Sequence, residues 1–322
     1  MLLVGDIMEK FRLEVPVLFC TFKRLDTAKQ VFEQIRKVKP QKLYLVSDAA
    51  RPEVDGEQEK VQAVHDYVES HIDWECEVFR NYATTNMGCG RRIYSGINWI
   101  FETEEQAIIL EDDCVPQEGF FEYCQKMLAY YQNDEEILMI GGNNPIAHLY
   151  DNGKDYVFSH VPFMWGWATW KRAWKLYDYE MKSWKAEKKS QKVRNAFPLK
   201  RAYQFYAAHF DSLSTGKFND VWDYQFMYTG ISHEMLCILP SKSYVQNIGF
   251  IEESTHTKNA PKWICTEASP VEFPLHYRNE HEWDREFDRI YMDLSTKGSY
   301  IVRIKRKLGL NVNQSVFEIF RK

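Results

Sequence analysis

The sequence predicts an α/β fold, with a mostly parallel sheet flanked by helices, and three observations lead to this prediction. In the first 145 residues, short apolar runs alternate with longer segments of helical periodicity. Strands that alternate with helices form right-handed βαβ units, whose strands lie parallel in one sheet. With 322 residues, of which 45% are apolar and 27% charged, the chain has the composition of a globular protein with ample material for a core.

The elements can be assigned in order along the first half of the chain. Residues 1–12 are predicted to be a frayed leader. The segment 25–38 is an amphipathic helix with Asp26 or Thr27 near its cap. The remaining predicted elements are strands at 15–22, 41–48, 74–80, 107–110 and 136–142, and helices at 59–72, 91–103 and 119–132.

After about residue 145 this alternation stops, and the chain becomes rich in aromatic residues and then in lysine. The lysine-rich segment 182–201 is predicted to be exposed, 219–232 to be a helix and 234–250 to form strand-like pieces. We therefore predict a fold with an elaborated second half. Its parts are residues 1–145, residues 146–275 and a helical tail at 276–322.

Bulk charge and cysteine usage exclude some partners and compartments. A net charge of -5 gives no reason to expect nucleic acid as a partner. Seven scattered cysteines without CxxC or zinc spacing, in a chain without a signal peptide, predict reduced thiols in the cytosol. No apolar run approaches the ~20 residues that span a bilayer. The basic segment 301–310 either is a solvated helix or contacts an anionic membrane surface peripherally.

Three consecutive carboxylates follow the strand "AIIL", at Glu111, Asp112 and Asp113. They could form a solvated turn that caps the next helix. However, 107–110 reads as a central strand, and ligands of open α/β sheets collect at the carboxyl ends of the strands. The triplet is therefore also a candidate binding site.

The sequence lacks the usual phosphate-binding loops. It has no P-loop and no G-x-G-x-x-G after the first strand, and "MGCGRR" (87–92) offers only G-x-G. No G-x-S-x-G nucleophile elbow is present either. An α/β protein without these loops can hold a nucleoside diphosphate through Mg²⁺ or Mn²⁺, which takes one or two protein carboxylates, with phosphate and water as further ligands.

Five segments, in the same order, resemble those of GT-A glycosyltransferases, and most of all N-acetylglucosaminyltransferase I and its bacterial relatives. They are "LFCTFKR", "LYLVSDAARPE", "IILEDDCVPQEGFFEY", "FMWGWATWKRAW" and "FNDVWDYQFM", which together span roughly residues 15–256. The resemblance implies a Rossmann-like GT-A fold. In such a fold residues 1–145 would bind the nucleotide-sugar, and residues 146–275 would bind the acceptor and carry the catalytic group.

The resemblance also implies roles for individual residues. Asp113 would bind Mn²⁺ or Mg²⁺, and Asp223 would be the catalytic base. The remaining candidates would contact the donor: Thr21 and Arg24 the nucleotide, Asp48 the uracil, Arg91 and Arg92 the phosphates, and Glu111 and Asp112 the sugar and ribose hydroxyls.

This chain departs from the family pattern at two places. The second Asp of the family's Trp-Asp-Asp segment falls on Tyr224, so the base is Asp223 or else Asp220. A His that the family places before the acidic strand is absent, which leaves the identity of the donor open.

Two further sets of residues have alternative readings. Two interpretations are equally weighted for Trp165, Trp167 and Trp170. Each could pack in the core or line a sugar pocket, since sugars stack on aromatic rings. His256 is either a late metal or diphosphate ligand or a solvated loop residue.

The sequence therefore predicts an inverting, metal-dependent glycosyltransferase. Its donor would be a nucleoside diphosphate sugar, most simply a UDP-sugar, and its acceptor a hydroxyl of a glycan or a lipid-linked sugar. The alternatives are a nucleotidyltransferase on the same scaffold, although "CTFKRLD" lacks the glycine-rich loop it would need, and a sugar-binding relative without catalysis. A glycoside hydrolase also uses two carboxylates but fits this element order poorly.

Overall fold

The computed structural model describes residues 11–216, 220–249, 261, 263–265 and 267–307. The predicted leader therefore lies outside the described residues except for positions 11 and 12. An eight-stranded sheet forms the centre of the fold, with strand order β3-β2-β1-β4-β8-β6-β9-β7. Its strands are β1 (Val17–Thr21), β2 (Lys42–Ser47), β3 (Glu77–Tyr82), β4 (Gln106–Glu111), β6 (Ile137–Gly141), β7 (Tyr156–Ser159), β8 (Trp167–Trp170) and β9 (Leu236–Pro240).

The sheet is mostly parallel, as predicted. Pairs β1–β2, β2–β3, β1–β4 and β6–β9 are parallel. Only β8 and β7 run in the opposite direction to the other strands, because β8 pairs antiparallel with both β4 and β6, and β7 pairs antiparallel with β9. Strands from both halves of the sequence therefore belong to one sheet. A separate ribbon pairs β5 (Cys114–Pro116) with β10 (Val245–Asn247) in antiparallel fashion.

Helices cover both faces of the parallel half of the sheet, because alternate residues of each strand point to opposite faces. Val17 and Phe19 of β1 pack in one core with α1 (Leu25–Val38), whose Ala28, Val31, Phe32 and Ile35 are buried. Leu18 and Cys20 pack in a second core with α3 (Cys89–Thr103). The remaining helices of this half are α2 (Glu57–Ser70) and α4 (Phe120–Tyr130).

A third core lies in the second half of the chain. Its helices are α6 (Trp184–Glu187), α7 (Gln191–Asn195), α8 (Lys200–Ser214), α9 (Asp223–Ser232) and α10 (Arg285–Lys307), whereas α5 (Lys171–Trp174) packs in the second core. The lysine-rich segment was predicted to be exposed, and its apolar residues are not. Trp184, Val193 and Phe197 are buried in one core with residues of α8 and α9. The prediction was wrong for these residues because the surrounding lysines mask a short apolar pattern.

The register of the central strands brings three chain segments to one edge. Thr21 pairs with Ser47, and Cys20 pairs with Glu111, so β1, β2 and β4 end side by side. The residues that follow these strands therefore lie close together. This edge positions the candidate site.

Candidate functional site

A cavity of about 460 Å³ lies at the carboxyl end of β4, and we call it the β4 cavity. Its wall comes from the ends of β1, β2 and β4, the start of α3 and the segment before α9. Residues predicted for the site that line it are Thr21, Arg24, Asp48, Arg92, Glu111 and Asp112, together with the alternative base Asp220. Its volume falls in the range of about 300–1000 Å³ that is usual for small-molecule sites.

Arg24 holds the acidic block in place. Its guanidinium bonds to Asp112 and also lies 2.8 Å from Asp113 Oδ2. The backbone N–H of Phe22 donates to the second oxygen of Asp112 at 3.2 Å. Burial alone would lower the pKa of Arg24, but the two carboxylates raise it above its ordinary value. The guanidinium therefore stays charged and fixes both side chains.

One arginine does not neutralise this end of the sheet. Burial, followed by the charges of Asp113 and Asp112, raises the pKa of Glu111 to about 8, and Asp223 contributes to the same effect. The pKa of Asp112 rises to about 6, chiefly through burial, although Arg24 opposes the rise. The carboxylates thus form a patch with excess negative charge.

The residues present fit a divalent metal in their chemistry. Hard cations such as Mn²⁺ and Mg²⁺ prefer carboxylate oxygens, and this patch has several of them. Within the part of the chain that the structure describes, no group of three His, Cys, Asp or Glu side chains forms a closed metal site. A metal with one or two protein ligands remains compatible with the patch, because phosphate and water supply its other ligands. The predicted ligand His256 lies outside the described residues.

Asp48 lies in the β4 cavity, and its carboxylate binds backbone groups. Oδ1 accepts hydrogen bonds from the N–H groups of Ala49 and Met87, both at 2.9 Å, and Oδ2 accepts one from Gly88 at 3.0 Å. The side chain therefore fixes the loop that leads into α3. A direct contact with the uracil of a nucleotide would have to use the remaining lone pairs of the Asp48 carboxylate.

The structure separates the two predicted phosphate-binding arginines. Arg92 is buried, and it donates to the Ser47 carbonyl at 3.1 Å and to the carbonyl of Asn81. It thus ties together the ends of β2 and β3, while one side of it lines the β4 cavity. Arg91 is exposed and lines a different cavity.

The two candidate bases lie at the start of α9, close to the start of α3. Asp220 Oδ1 accepts a long hydrogen bond from the Gly90 N–H at 3.4 Å. A Cβ at Gly90 would come within 2.7 Å of the Val221 backbone, so glycine permits this close approach. Asp223 is the first residue of α9, and its charge contributes to the raised pKa of Glu111. Asp220 thus lies in the wall of the β4 cavity, and Asp223 begins the helix that follows it.

Trp167 does not line a sugar pocket, contrary to one of its two readings. It lies on β8 with none of its surface exposed, and its ring stacks on Trp222 at a centroid distance of 5.6 Å. The central position of β8 buries this face completely. Trp165 is half-buried and packs edge-on against Phe163 at 4.9 Å. Trp170 is also buried in the core, where its indole N–H donates to the Leu128 carbonyl.

Sequence reasoning missed three charged or amide side chains that line the β4 cavity, which are Lys23, Arg51 and Asn86. Lys23 Nζ and Arg51 Nη2 both bind Glu57 Oε1, at 2.7 and 2.5 Å. The hydrogen bonds from Arg51, opposed by burial, lower the pKa of Glu57 to about 2. The adjacent pair "KR" after the first strand could have indicated Lys23, but only Arg24 was assigned to the site from it.

In the part of the chain that the structure describes, no helix has the length and apolar character to cross a bilayer. The basic segment predicted at 301–310 continues α10 as far as position 307. Peripheral contact of this segment with a membrane stays a prediction.

No family model matches the chain, and no curated protein matches its sequence. Among solved structures, the chain is similar to the mannosyltransferase PcManGT from Pyrobaculum calidifontis in complex with GDP-Man and Mn²⁺, with 14% identity, a TM-score of 0.34, and coverage of 50% of this chain and 45% of that one. It is also similar to an apo UDP-glucose pyrophosphorylase, with 9% identity, a TM-score of 0.31, and coverage of 70% and 90%. A third is a CMP:2-keto-3-deoxy-manno-octonic acid synthetase complexed with CTP, with 10% identity, a TM-score of 0.30, and coverage of 61% and 87%. The chain spans less than half the length of the mannosyltransferase, and at these TM-scores the likeness carries no argument about function.

Proposed function

We propose that this chain is an inverting, metal-dependent glycosyltransferase. It would move a sugar from a nucleoside diphosphate sugar, most simply a UDP-sugar, to a hydroxyl of a glycan or a lipid-linked sugar. One observation carries the proposal: Glu111 and Asp112 of the acidic block and Asp220 before α9, more than 100 residues apart in sequence, line one cavity.

The donor would lie in the β4 cavity with its diphosphate next to the acidic block. Asp113 would hold Mn²⁺ or Mg²⁺, and His256 is the second proposed ligand. When bound, the metal would neutralise the diphosphate and stabilise it as a leaving group. Glu111 and Asp112 would bind sugar and ribose hydroxyls, while Arg24 keeps Asp112 in position.

The base in this proposal is Asp223, with Asp220 as the alternative. Asp223 is the first residue of α9, and its charge contributes to the raised pKa of Glu111, which supports a position near the acidic block. A carboxylate there takes the proton from the attacking hydroxyl, a contribution of typically 10²–10⁴ in rate. A single displacement with one base inverts the anomeric carbon.

A nucleotidyltransferase is the rival reading, and its reaction gives different products. It would release pyrophosphate or form a nucleoside triphosphate, whereas a glycosyltransferase releases a nucleoside diphosphate. A sugar-binding relative without catalysis would release neither.

The test begins with binding to the full chain. Thermal unfolding is followed with UDP, GDP, CDP or ADP, each with and without Mn²⁺, and then with the corresponding nucleotide sugars. A ligand at 100 times its Kd adds about 2.7 kcal/mol to the free energy of unfolding. We expect UDP to stabilise the protein only when Mn²⁺ is present.

The second step measures turnover of the nucleotide sugar that stabilises the protein. Release of the nucleoside diphosphate supports a glycosyltransferase, and release of pyrophosphate from sugar phosphate and triphosphate supports the rival. If no nucleotide stabilises the protein with or without metal, the proposal is wrong.

A further inference from the structure

A second cavity, of about 1070 Å³, lies beside the β4 cavity, and the two are divided by the first turn of α3. Met87 and Arg91 line the second cavity, whereas Gly88 and Cys89 line the first. The rest of its wall belongs to the second half of the chain. We call it the lysine cavity after Lys182, Lys185 and Lys188, which line it.

Positive charge exceeds negative charge in the wall of the lysine cavity. Besides the three lysines and Arg91, only Glu180 and Asp211 carry charge there. Lys188 pairs with Asp211 at 2.6 Å, and Lys182 with Glu180 at 3.1 Å. Within the described residues, neither Lys185 nor Arg91 forms an ion pair. An anion in the cavity would therefore meet two cations that no carboxylate neutralises.

The wall also contains a buried acceptor that has no partner. Gln225 lies on α9 and is 1% exposed, and its Nε2 donates to the Val221 carbonyl at 2.9 Å. Its Oε1 has no hydrogen-bond partner among the residues that the structure describes. Leaving a buried acceptor unsatisfied is costly, so a ligand hydroxyl that donates to this oxygen would be favoured.

Aromatic rings complete the wall. Tyr94 and Tyr179 stack on each other at a centroid distance of 4.9 Å, and both line the cavity and are half-buried. Aromatic rings bind the apolar CH faces of sugars, while nearby polar groups fix the orientation. Rings, an unsatisfied acceptor and excess positive charge together suit a sugar that carries an acid group.

The position of the cavity relative to the candidate bases indicates which substrate it would bind. Asp220 lines the β4 cavity, and its charge also acts on Tyr179 of the lysine cavity. Gln225 of the lysine cavity lies on the same helical turn as Asp223. Asp220 therefore lies against the turn that divides the two cavities, and Asp223 follows it by three residues. A base must lie near this boundary to take a proton from an acceptor that attacks the donor.

We propose that the lysine cavity binds the acceptor, and that the acceptor is a sugar with an acid group, either a phosphate or a carboxylate. Arg91 and Lys185 would bind the acid group, and Gln225 Oε1 would accept a hydrogen bond from a sugar hydroxyl. This inference rests on the proposed function, and it adds the chemical class of the acceptor.

The test uses three sugars that differ only at C6, which are glucose, glucose 6-phosphate and glucuronic acid. Each is titrated by calorimetry into the full chain saturated with UDP and Mn²⁺. We expect at least one charged sugar to bind at least about fivefold more tightly than glucose, as two additional charge contacts would give. Which of the two binds more tightly distinguishes a phosphate from a carboxylate. Equal affinity for all three sugars, or no binding by any of them, would overturn the inference.

Variants localise the binding. Lys185→Gln should weaken the charged sugar about twofold to fivefold, and should leave the affinities for glucose and UDP unchanged. Lys189→Gln is the matched control, because Lys189 is exposed on the same segment and does not line the cavity. If the preference for the charged sugar survives in an Arg91→Gln/Lys185→Gln double variant, the sugar binds elsewhere and the inference is wrong.

The titrations are repeated without nucleotide, to separate this inference from the proposed function. UDP binding without preference for charged sugars overturns the acceptor assignment alone. Charge preference in a chain that does not bind UDP in the presence of Mn²⁺ supports the ligand class and overturns the acceptor role, because the donor site has then failed.

Discussion

Arg24 binds Asp112 and Asp113 with one guanidinium, and its contact with Asp113 Oδ2 measures 2.8 Å. This contact joins the loop after β1 to the loop after β4. Arg24 contacts only Oδ2 of Asp113 and leaves Oδ1 without a contact to the guanidinium. The Asp113 carboxylate could therefore bind Arg24 through one oxygen and a metal through the other. Asp113 is also more exposed than Asp112, with 15% of its side chain accessible against 4%.

Asp113→Ala should abolish stabilisation by UDP that depends on Mn²⁺. Parent protein with UDP and Mn²⁺ at 100 times the Kd should gain about 2.7 kcal/mol, and the variant close to none. The fold should persist, because Arg24 keeps its bond to Asp112. Thermal unfolding with UDP, with and without Mn²⁺, measures this, and Asp55→Ala at an exposed position away from the cavity is the control. Equal stabilisation of the variant and the parent would show that Asp113 is not the ligand.

Gly249→Ala should disturb the same carboxylate at its contact with Arg24. A Cβ at position 249 would lie 2.0 Å from Asp113 Oδ2 and 3.0 Å from Arg24 Nη1, so one of the groups must move. We expect a loss of about 1–3 kcal/mol in the free energy of unfolding, as for other overpacked sites. UDP binding in the presence of Mn²⁺ should weaken as well.

A double-mutant cycle tests whether this cost comes from Asp113. In the Asp113→Ala background the carboxylate is absent, so Gly249→Ala should cost less in the free energy of unfolding, as measured by urea denaturation. An identical cost in both backgrounds would mean that the alanine acts through another contact.

The regular part of the fold could be predicted because it depends on local pattern. The helix predicted at 25–38 is α1 (Leu25–Val38), since its apolar residues recur at helical spacing. The strand predicted at 74–80 is β3 (Glu77–Tyr82), which begins later. The cause is Trp74, which looks like a strand residue but packs beside the sheet and donates its indole N–H to the Pro40 carbonyl.

The strand β8 could not be predicted, because it depends on contacts distant in sequence. "WATW" (167–170) shows neither alternation nor flanking strand signals, and it forms a strand by pairing antiparallel with β4 and β6. This pairing also decided between the two readings of Trp167, which lies in the core. Similarly, the acidic block was identified from its position after an apolar run. Its contact with Arg24, and the assignment of Arg91 and Arg92 to different cavities, depend on tertiary structure.

The pH dependence of stability should show two buried groups that act in opposite directions. Asp288 is fully buried, where burial raises its pKa to about 7 although Ser159 Oγ and the His160 N–H donate to it, and Asp284 adds to the rise. Burial lowers the pKa of the His160 side chain from 6.5 to about 4. Between pH 4 and 6.5 folding therefore adds a proton to Asp288 and removes one from His160. The first effect lowers stability as the pH rises, the second increases it, and each changes by at most about 1.4 kcal/mol per pH unit.

Asp288→Asn should therefore make stability rise more steeply from pH 4.5 to 6.5 than in the parent. The amide resembles the protonated acid and does not titrate, so the effect of His160 remains without opposition. Urea unfolding at pH 4.5, 5.5 and 6.5 measures the slope. His160→Gln is the matched variant and should change the slope in the opposite sense. Parallel curves for the parent and both variants would contradict the assignment.

The catalytic prediction concerns the two carboxylates at the start of α9, and it compares Asp223→Asn with Asp220→Asn. Asparagine keeps the shape of either side chain but cannot accept the proton of the attacking hydroxyl. If Asp223 is the base, its variant should bind UDP and Mn²⁺ as the parent does while turnover falls at least about a hundredfold. Asp220→Asn should keep most of its turnover, because the Asp220 carboxylate accepts a hydrogen bond from the Gly90 N–H, which the amide oxygen of asparagine can also accept.

The alternatives to this outcome are specific. If Asp223 only interacts favourably with the dipole at the start of its helix, its variant should lose a few tenths of a kcal/mol of stability, about the value of an exposed dipole contact. Its turnover should then remain normal. A dead Asp220→Asn beside an active Asp223→Asn would transfer the role to Asp220, which lines the β4 cavity directly. Normal turnover in both variants would contradict the single-displacement mechanism. Since the base takes part only after the donor has bound, an unchanged UDP affinity with lost turnover is the result that distinguishes catalysis from packing.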